Sequence, residues 1–123
     1  MRQITPQVTN LFHALQKRGV DCEIEEWDGH KHVDISIPKS YIDIEVNGLT
    51  HYIDPETMVR DLNRMYWSFK NDRFLTLHIP NMIVDQHLEQ LADSIAYAAQ
   101  LKKEEHKKRN NVWWKKILRA VLE

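Results

Sequence analysis

The first half of the chain places polar residues at alternate positions: Glu23, Glu25, His32, Asp34, Asp43, Glu45 and Asn47. Carboxylates gathered on one face of a sheet repel one another. Solvent, raised pKa values or a bound cation relieve that repulsion. The cation is the chemically useful answer. Mg²⁺ takes oxygen ligands, commonly one or two carboxylates, and leaves room for water and a phosphate. It lowers the pKa of a bound water and neutralises charge on a phosphodiester. Asp34 and Glu45 are the pair assigned to such an ion, Mg²⁺ or Mn²⁺, with Asn47 or Glu25 as a third oxygen donor. His30 and His32 make a zinc site with Glu45 conceivable, although structural zinc prefers four settled ligands, often Cys. A solvated polar sheet face is the bland alternative.

Register decides whether these side chains meet. Val20, Cys22 and Ile24 alternate, then Val33, Ile35 and Ile37, then Ile42, Ile44 and Val46. Period two marks strands with one buried face. Asp28-Gly29 is a two-residue hairpin signal. It sets Trp27 opposite His30, Glu23 opposite Asp34 and Glu25 opposite His32. A two-residue connection at Lys39-Ser40 sets Asp34 opposite Glu45, Ser36 opposite Asp43 and His32 opposite Asn47. The three strands form an antiparallel meander with the carboxylates on its non-core face.

Helices flank the meander. Thr5-Pro6 caps the first, which carries Val8, Leu11, Phe12 and Leu15 on one face and ends at Gly19. Asp54-Pro55 starts the second, with Met58, Leu62, Met65, Tyr66 and Phe69 as its expected buried stripe. Residues 72–79 read as a fourth strand. A third helix runs from about 82 past 101, with Val84, Leu88, Leu91, Ile95 and Ala98 as its stripe. The segment after Asn110 reads as a separate amphipathic piece. The expected order is α-β-β-β-α-β-α with a basic C-terminal helical extension, divided into a domain over 1–101 and an extension over 102–123.

Composition narrows the classes. The 123 residues are 42% hydrophobic and 28% charged, as in an ordinary folded domain rather than a disordered chain. No apolar run approaches the ~20 residues that span a membrane, and the N-terminus lacks a signal core. A lone Cys22 suits a reducing cytoplasm, and its place on the core face makes it a small buried hydrophobe. Residues 1–101 hold nine Lys/Arg against fifteen Asp/Glu, a balance of −6; residues 102–123 hold eight against three, a balance of +5. An acidic body suits a metal site, and a basic tail suits a polyanion. Lys107, Lys108, Arg109, Lys115 and Lys116 are the candidate phosphate contacts of the tail. Its apolar residues suit a protein partner or self-association. A membrane is not the expected partner. Arg60, Arg64 and Trp67, four and three residues apart, share a face of the second helix that suits phosphates and a base.

Val33-Asp34-Ile35-Ser36, followed by Ile42-Asp43-Ile44-Glu45-Val46-Asn47-Gly48-Leu49-Thr50-His51, resembles the "V-D-F … I-E-x-D-G-x-x-H" core of a restriction-endonuclease-like family. That family comprises small domains related to very short patch repair endonucleases within the PD-(D/E)XK nuclease superfamily. Asp61-Leu62-Asn63-Arg64 resembles its "D-x-x-R", and residues 73–81 resemble its "R-V-L-R-F-x-N" strand. The resemblance spans about residues 5–100. It implies a restriction-endonuclease-like fold and Mg²⁺-dependent hydrolysis of DNA phosphodiesters. It implies Asp34 and Glu45 as metal ligands, His51 as the group that assists proton transfer, and Arg64 as a phosphate ligand. The chain departs from the family at Asn47, where this branch has Asp and the wider superfamily Lys, at Val8 in place of Glu, and at Glu25 in place of Gln. Asn cannot act as a general base, so the alternative reading is a catalytically inactive nuclease-fold module that binds nucleic acid or a protein.

Overall fold

The computed structural model describes residues 4–27 and 32–122, without the side chains of 26, 27, 50, 51, 72 and 110–114. Its elements are α1 (Pro6–Lys17), β1 (Glu23–Trp27), β2 (His32–Ile37), β3 (Ile42–Asn47), α2 (Thr50–Ile53), α3 (Pro55–Asp72), β4 (Leu75–Pro80) and α4 (Asn81–Leu122). This is the expected order with one addition, the four-residue α2. The strands form a single four-stranded mixed sheet in the order β1-β2-β3-β4. β1, β2 and β3 are antiparallel, and β4 runs parallel to β3. A parallel neighbour needs a long crossover, and α2 with α3 supplies it.

Local chemistry sets the ends of α1. Val8 N donates to Thr5 Oγ1 (3.4 Å), and Pro6 occupies the first turn. At the other end Gly19 adopts φ 78. Its N–H donates to Gln16 O (2.9 Å), and Val20 N donates to Leu15 O (3.1 Å). That pair of bonds closes a helix through a left-handed residue, where glycine carries no Cβ penalty.

The β2–β3 register is the expected one: Ile35 faces Ile44, Ser36 faces Asp43 and Ile37 faces Ile42. The connection is a 3-10 turn over Pro38–Ser40 followed by Tyr41 at φ 56. The β1–β2 register differs. Trp27 pairs with His32 and Glu23 with Ser36, so residues 28–31 separate the strands instead of Asp28-Gly29 alone. Glu23 therefore does not face Asp34, and Glu25 does not face His32. Glu25, at φ 56, interrupts the ladder between Ile24–Ile35 and Glu26–Val33. The shift is by two residues, an even number, so every side chain keeps its face.

Val33, Ile35, Ile37, Ile42, Ile44 and Val46 form the apolar face and are buried. Val8, Leu11 and Leu15 of α1 and Val84, Ala92, Ile95 and Ala99 of α4 cover it, with Cys22 in the same core. Arg18 clasps these two helices, donating to Glu89 (2.5 Å) and Asp93 (2.7 Å). The bond to Glu89, then that to Asp93, raises the Arg18 pKa, and Arg18 lowers that of Glu89. α4 is also tied to the hairpin turn. Ser40 Oγ donates to Ala99 O (2.7 Å), Lys102 Nζ donates to Tyr41 O (3.0 Å), and His106 stacks on Tyr41 at 4.0 Å.

Two helical expectations are corrected. α4 spans Asn81–Leu122 as two helical stretches joined by a kink at His87 (φ −137, ψ 38), and the second runs unbroken through Asn110, so the segment after 110 is not a separate piece. α3 faces the other way. Leu62 (54%), Tyr66 (62%) and Phe69 (53%) are exposed, and Asp61 (7%) is buried. The sheet face under α3 is polar, so α3 turns Asp61 inward, with Met58 and Met65 half-buried beside it, and leaves Leu62, Tyr66 and Phe69 outward. Among the described residues no helix is long and apolar enough to cross a membrane.

Ile44 is fully buried between the two helices and the sheet. Ile44→Ala should cost about 2–5 kcal/mol in denaturant unfolding through the cavity it leaves. Burial pushes the Cys22 thiol to about 11. The folded protein should therefore resist a thiol reagent at pH 8 and react fully once unfolded.

Candidate functional site

The sheet's second face is polar and still buried. Asp34, Ser36, Asp43 and Glu45 are each under a tenth exposed, as is Thr76 of β4. Charged groups seldom sit so deep unless they are paired. β4 joins this face through its parallel register, which sets Thr76 beside Asp43 and His78 beside Glu45. Asp43 thus lies between two hydroxyl residues, Ser36 on one side and Thr76 on the other.

Asp34 and Glu45 are buried on the neighbouring strands β2 and β3. The paired ladder runs to Ile35–Ile44, and one further step in the same register places Asp34 opposite Glu45. Asp34 Oδ2 accepts a hydrogen bond from Val46 N at 2.8 Å. A side-chain carboxylate thus takes an N–H that a strand carbonyl would otherwise receive.

Glu45 is the centre of the cluster. Arg64 Nη2 donates to both of its oxygens, at 3.0 and 3.1 Å. His78 Nδ1 lies 3.3 Å from Glu45 Oε2 and 3.1 Å from Asn47 Nδ2. With Nδ1 protonated, the ring donates to Glu45; with Nδ1 bare, it accepts from Asn47. Asp61 completes the group, 4.0 Å from both Arg64 and His78. Tyr52 of α2 packs alongside. Burial first, then the charges of Asp61 and Glu45, pushes its hydroxyl to about 12.

The structure gathers Asp34, Glu45, Asn47 and Arg64 and separates the rest. Arg60, Arg64 and Trp67 are all exposed on α3, and Arg64 also reaches Glu45 through its Nη2. Glu25 is half-buried on β1, and His32 is exposed. The side chain of His51 and all of His30 lie outside the described residues. Lys107, Lys108, Arg109, Lys115 and Lys116 are exposed along α4, where Arg109 pairs with Glu105 (2.6 Å). Among the described residues no three His, Cys, Asp or Glu side chains form a group able to hold a metal ion.

His78 and Tyr52 are the members that sequence reasoning missed, and Asp61 was named only as the start of the D-x-x-R resemblance. Two signals pointed to them: the Thr76/His78 alternation inside an apolar strand, and the three-residue spacing of Asp61 and Arg64 on one helix face. Compared with family models, with curated proteins and with solved structures, the chain gives no match in any of the three.

Arg64→Ala strips the compensating cation from a buried carboxylate. The cost should be about 1–3 kcal/mol, below that of a fully buried pair because the Arg64 side chain is half-exposed. Adding Glu45→Gln should recover much of it, read as coupling in a double-mutant cycle of unfolding free energies. For Tyr52 the sign is opposite to that of a paired carboxylate. Its folded pKa lies above the free value, so its contribution is intact below about pH 10 and is lost as pH rises toward 12. Tyr52→Phe should flatten the alkaline limb of stability against pH.

Proposed function

We propose that this chain is a restriction-endonuclease-like protein that hydrolyses DNA phosphodiesters with Mg²⁺ or Mn²⁺ at Asp34 and Glu45. The observation that carries the reading is their placement on neighbouring strands, on one face, where regular main-chain pairing gives way to a carboxylate bond. The fold supports it: a helix, a three-stranded meander, then a crossover helix into a parallel strand.

The donors suit Mg²⁺. That ion binds through one or two protein carboxylates and takes its other oxygens from water and substrate phosphate, so a third protein ligand is not required. When bound it supplies a positive charge against the scissile phosphate and acidifies a water. The chain's own residues do the rest. The Val46 N–H orients Asp34, and Glu25 offers a further oxygen. Arg64 releases Glu45 and turns its planar guanidinium to the phosphate, a shape suited to two oxygens. His78 positions Glu45 and Asn47 through its Nδ1. We assign proton transfer to His51. Asn47 holds orientation only, since an amide carries no basic proton acceptor. Arg60 and the lysines of α4 contact the flanking backbone.

One observation favours the second reading. Arg64 already neutralises Glu45, so the buried site is stable with no ion present. A nuclease-fold module that binds nucleic acid or a protein without cleaving it accounts for that pair equally well.

Two measurements on the full chain separate these readings: calorimetric titration with Mn²⁺, and cleavage of supercoiled plasmid with Mg²⁺ or Mn²⁺ beside a chelator control. The enzyme reading expects binding and cleavage, both lost in Asp34→Asn and Glu45→Gln. It also expects Asn47→Asp to raise metal affinity. Absence of both binding and cleavage in the wild type and in Asn47→Asp would leave the binding module.

A further inference from the structure

We propose that the apolar outer face of α3 is the seat for the C-terminal arm of α4 from a second copy of this chain, the two copies exchanging arms about a two-fold axis. Val59, Leu62, Tyr66, Trp67 and Phe69 are each more than half exposed on α3. Val59, Leu62, Tyr66 and Phe69, three and four apart, make one continuous stripe, and Trp67 flanks it. The stripe is a consequence of the fold. The buried polar sheet face claims Asp61 and Arg64, so the helix has only its outer side for its large apolar residues.

The same chain carries a matching surface. α4 contacts the body at Lys102 and His106 and then continues to Leu122. The sixteen residues beyond His106 extend about 24 Å at helical rise. There Leu118, Val121 and Leu122 are exposed, with Ile117 beside them and Lys115, Lys116 and Arg119 on the flanks. The two surfaces lie on opposite sides of the sheet, since α4 covers the apolar face and α3 the polar one. One chain cannot bring them together while α4 remains a continuous helix. Two chains can.

Charge selects the pairing. The tail of 102–123 carries +5 and the body −6. The arm over 107–122 carries six Lys/Arg and no Asp/Glu, so arm against arm sets like charges together, whereas α3 carries three acidic and three basic residues and does not repel it. An arm about 24 Å long and about 10 Å wide covers roughly 250 Å² on each of the two surfaces in contact. Two reciprocal arms bury on the order of 1,000 Å² in all, at the lower bound for a specific interface. That size fits a dimer with a dissociation constant in the micromolar range.

The test is sedimentation of the full chain from about 1 to 100 μM, bracketing that range. The wild type should pass from monomer to dimer. Leu62→Glu/Phe69→Glu removes the seat, and Leu118→Glu/Leu122→Glu removes the arm. Both pairs lie at exposed positions and should keep the wild-type circular dichroism. Each variant alone should stay monomeric across the range. A wild type that stays monomeric overturns the proposal. So does an arm variant that still dimerises, which would mean α3 pairing with α3, and so does a seat variant that still dimerises, which would mean arm pairing with arm.

Discussion

A buried carboxylate needs a positive partner, and in this protein Glu45 finds it in Arg64. Much of the architecture follows from that pair. Strand alternation puts Asp34, Asp43 and Glu45 on one face of the sheet. A helix laid over that face must offer cations and hydrogen-bond donors rather than methyl groups, or the charges stay uncompensated. α3 therefore packs with Asp61 inward and Arg64 reaching Glu45. The sheet separates two unlike layers: an apolar one under α1 and α4, which stabilises the fold, and a polar one under α3, which holds the buried carboxylates.

This division explains which parts of the sequence were legible. The β2–β3 register followed from two strictly alternating segments and a short connection, and it delivered the Asp34–Glu45 pair. The β1–β2 register was misjudged because Asp28-Gly29 was taken as the whole turn. The error was harmless to the site, since a two-residue shift preserves faces. α3 was misjudged for a different reason. Hydrophobic periodicity identifies a helix and its stripe but leaves open which neighbour the stripe meets. Met58, Leu62, Met65, Tyr66 and Phe69 were assumed to meet the sheet, although the face waiting for them was already known to be acidic. Combining those two observations would have turned the helix the right way.

His78 could not be placed by local reasoning. Its position beside Glu45 depends on the register of a parallel strand, and no tight turn fixes that register across an eighteen-residue helix. Asn110-Asn111 was read as a break, yet no Gly or Pro follows Pro80, and a helix without a breaker can continue. Continuity of α4 carries the basic, apolar-striped arm away from the body instead of letting it fold back.

The account's central claim is that the Arg64–Glu45 pair holds a carboxylate in readiness for a divalent ion. The most direct measurement is anomalous diffraction from crystals grown with Mn²⁺ and compared with crystals grown with a chelator. The account predicts a Mn²⁺ peak between Asp34 and Glu45, with Arg64 swung off the Glu45 oxygens only when the ion is present. Crystals that show no peak at saturating Mn²⁺, with Arg64 on Glu45 in both, would contradict it.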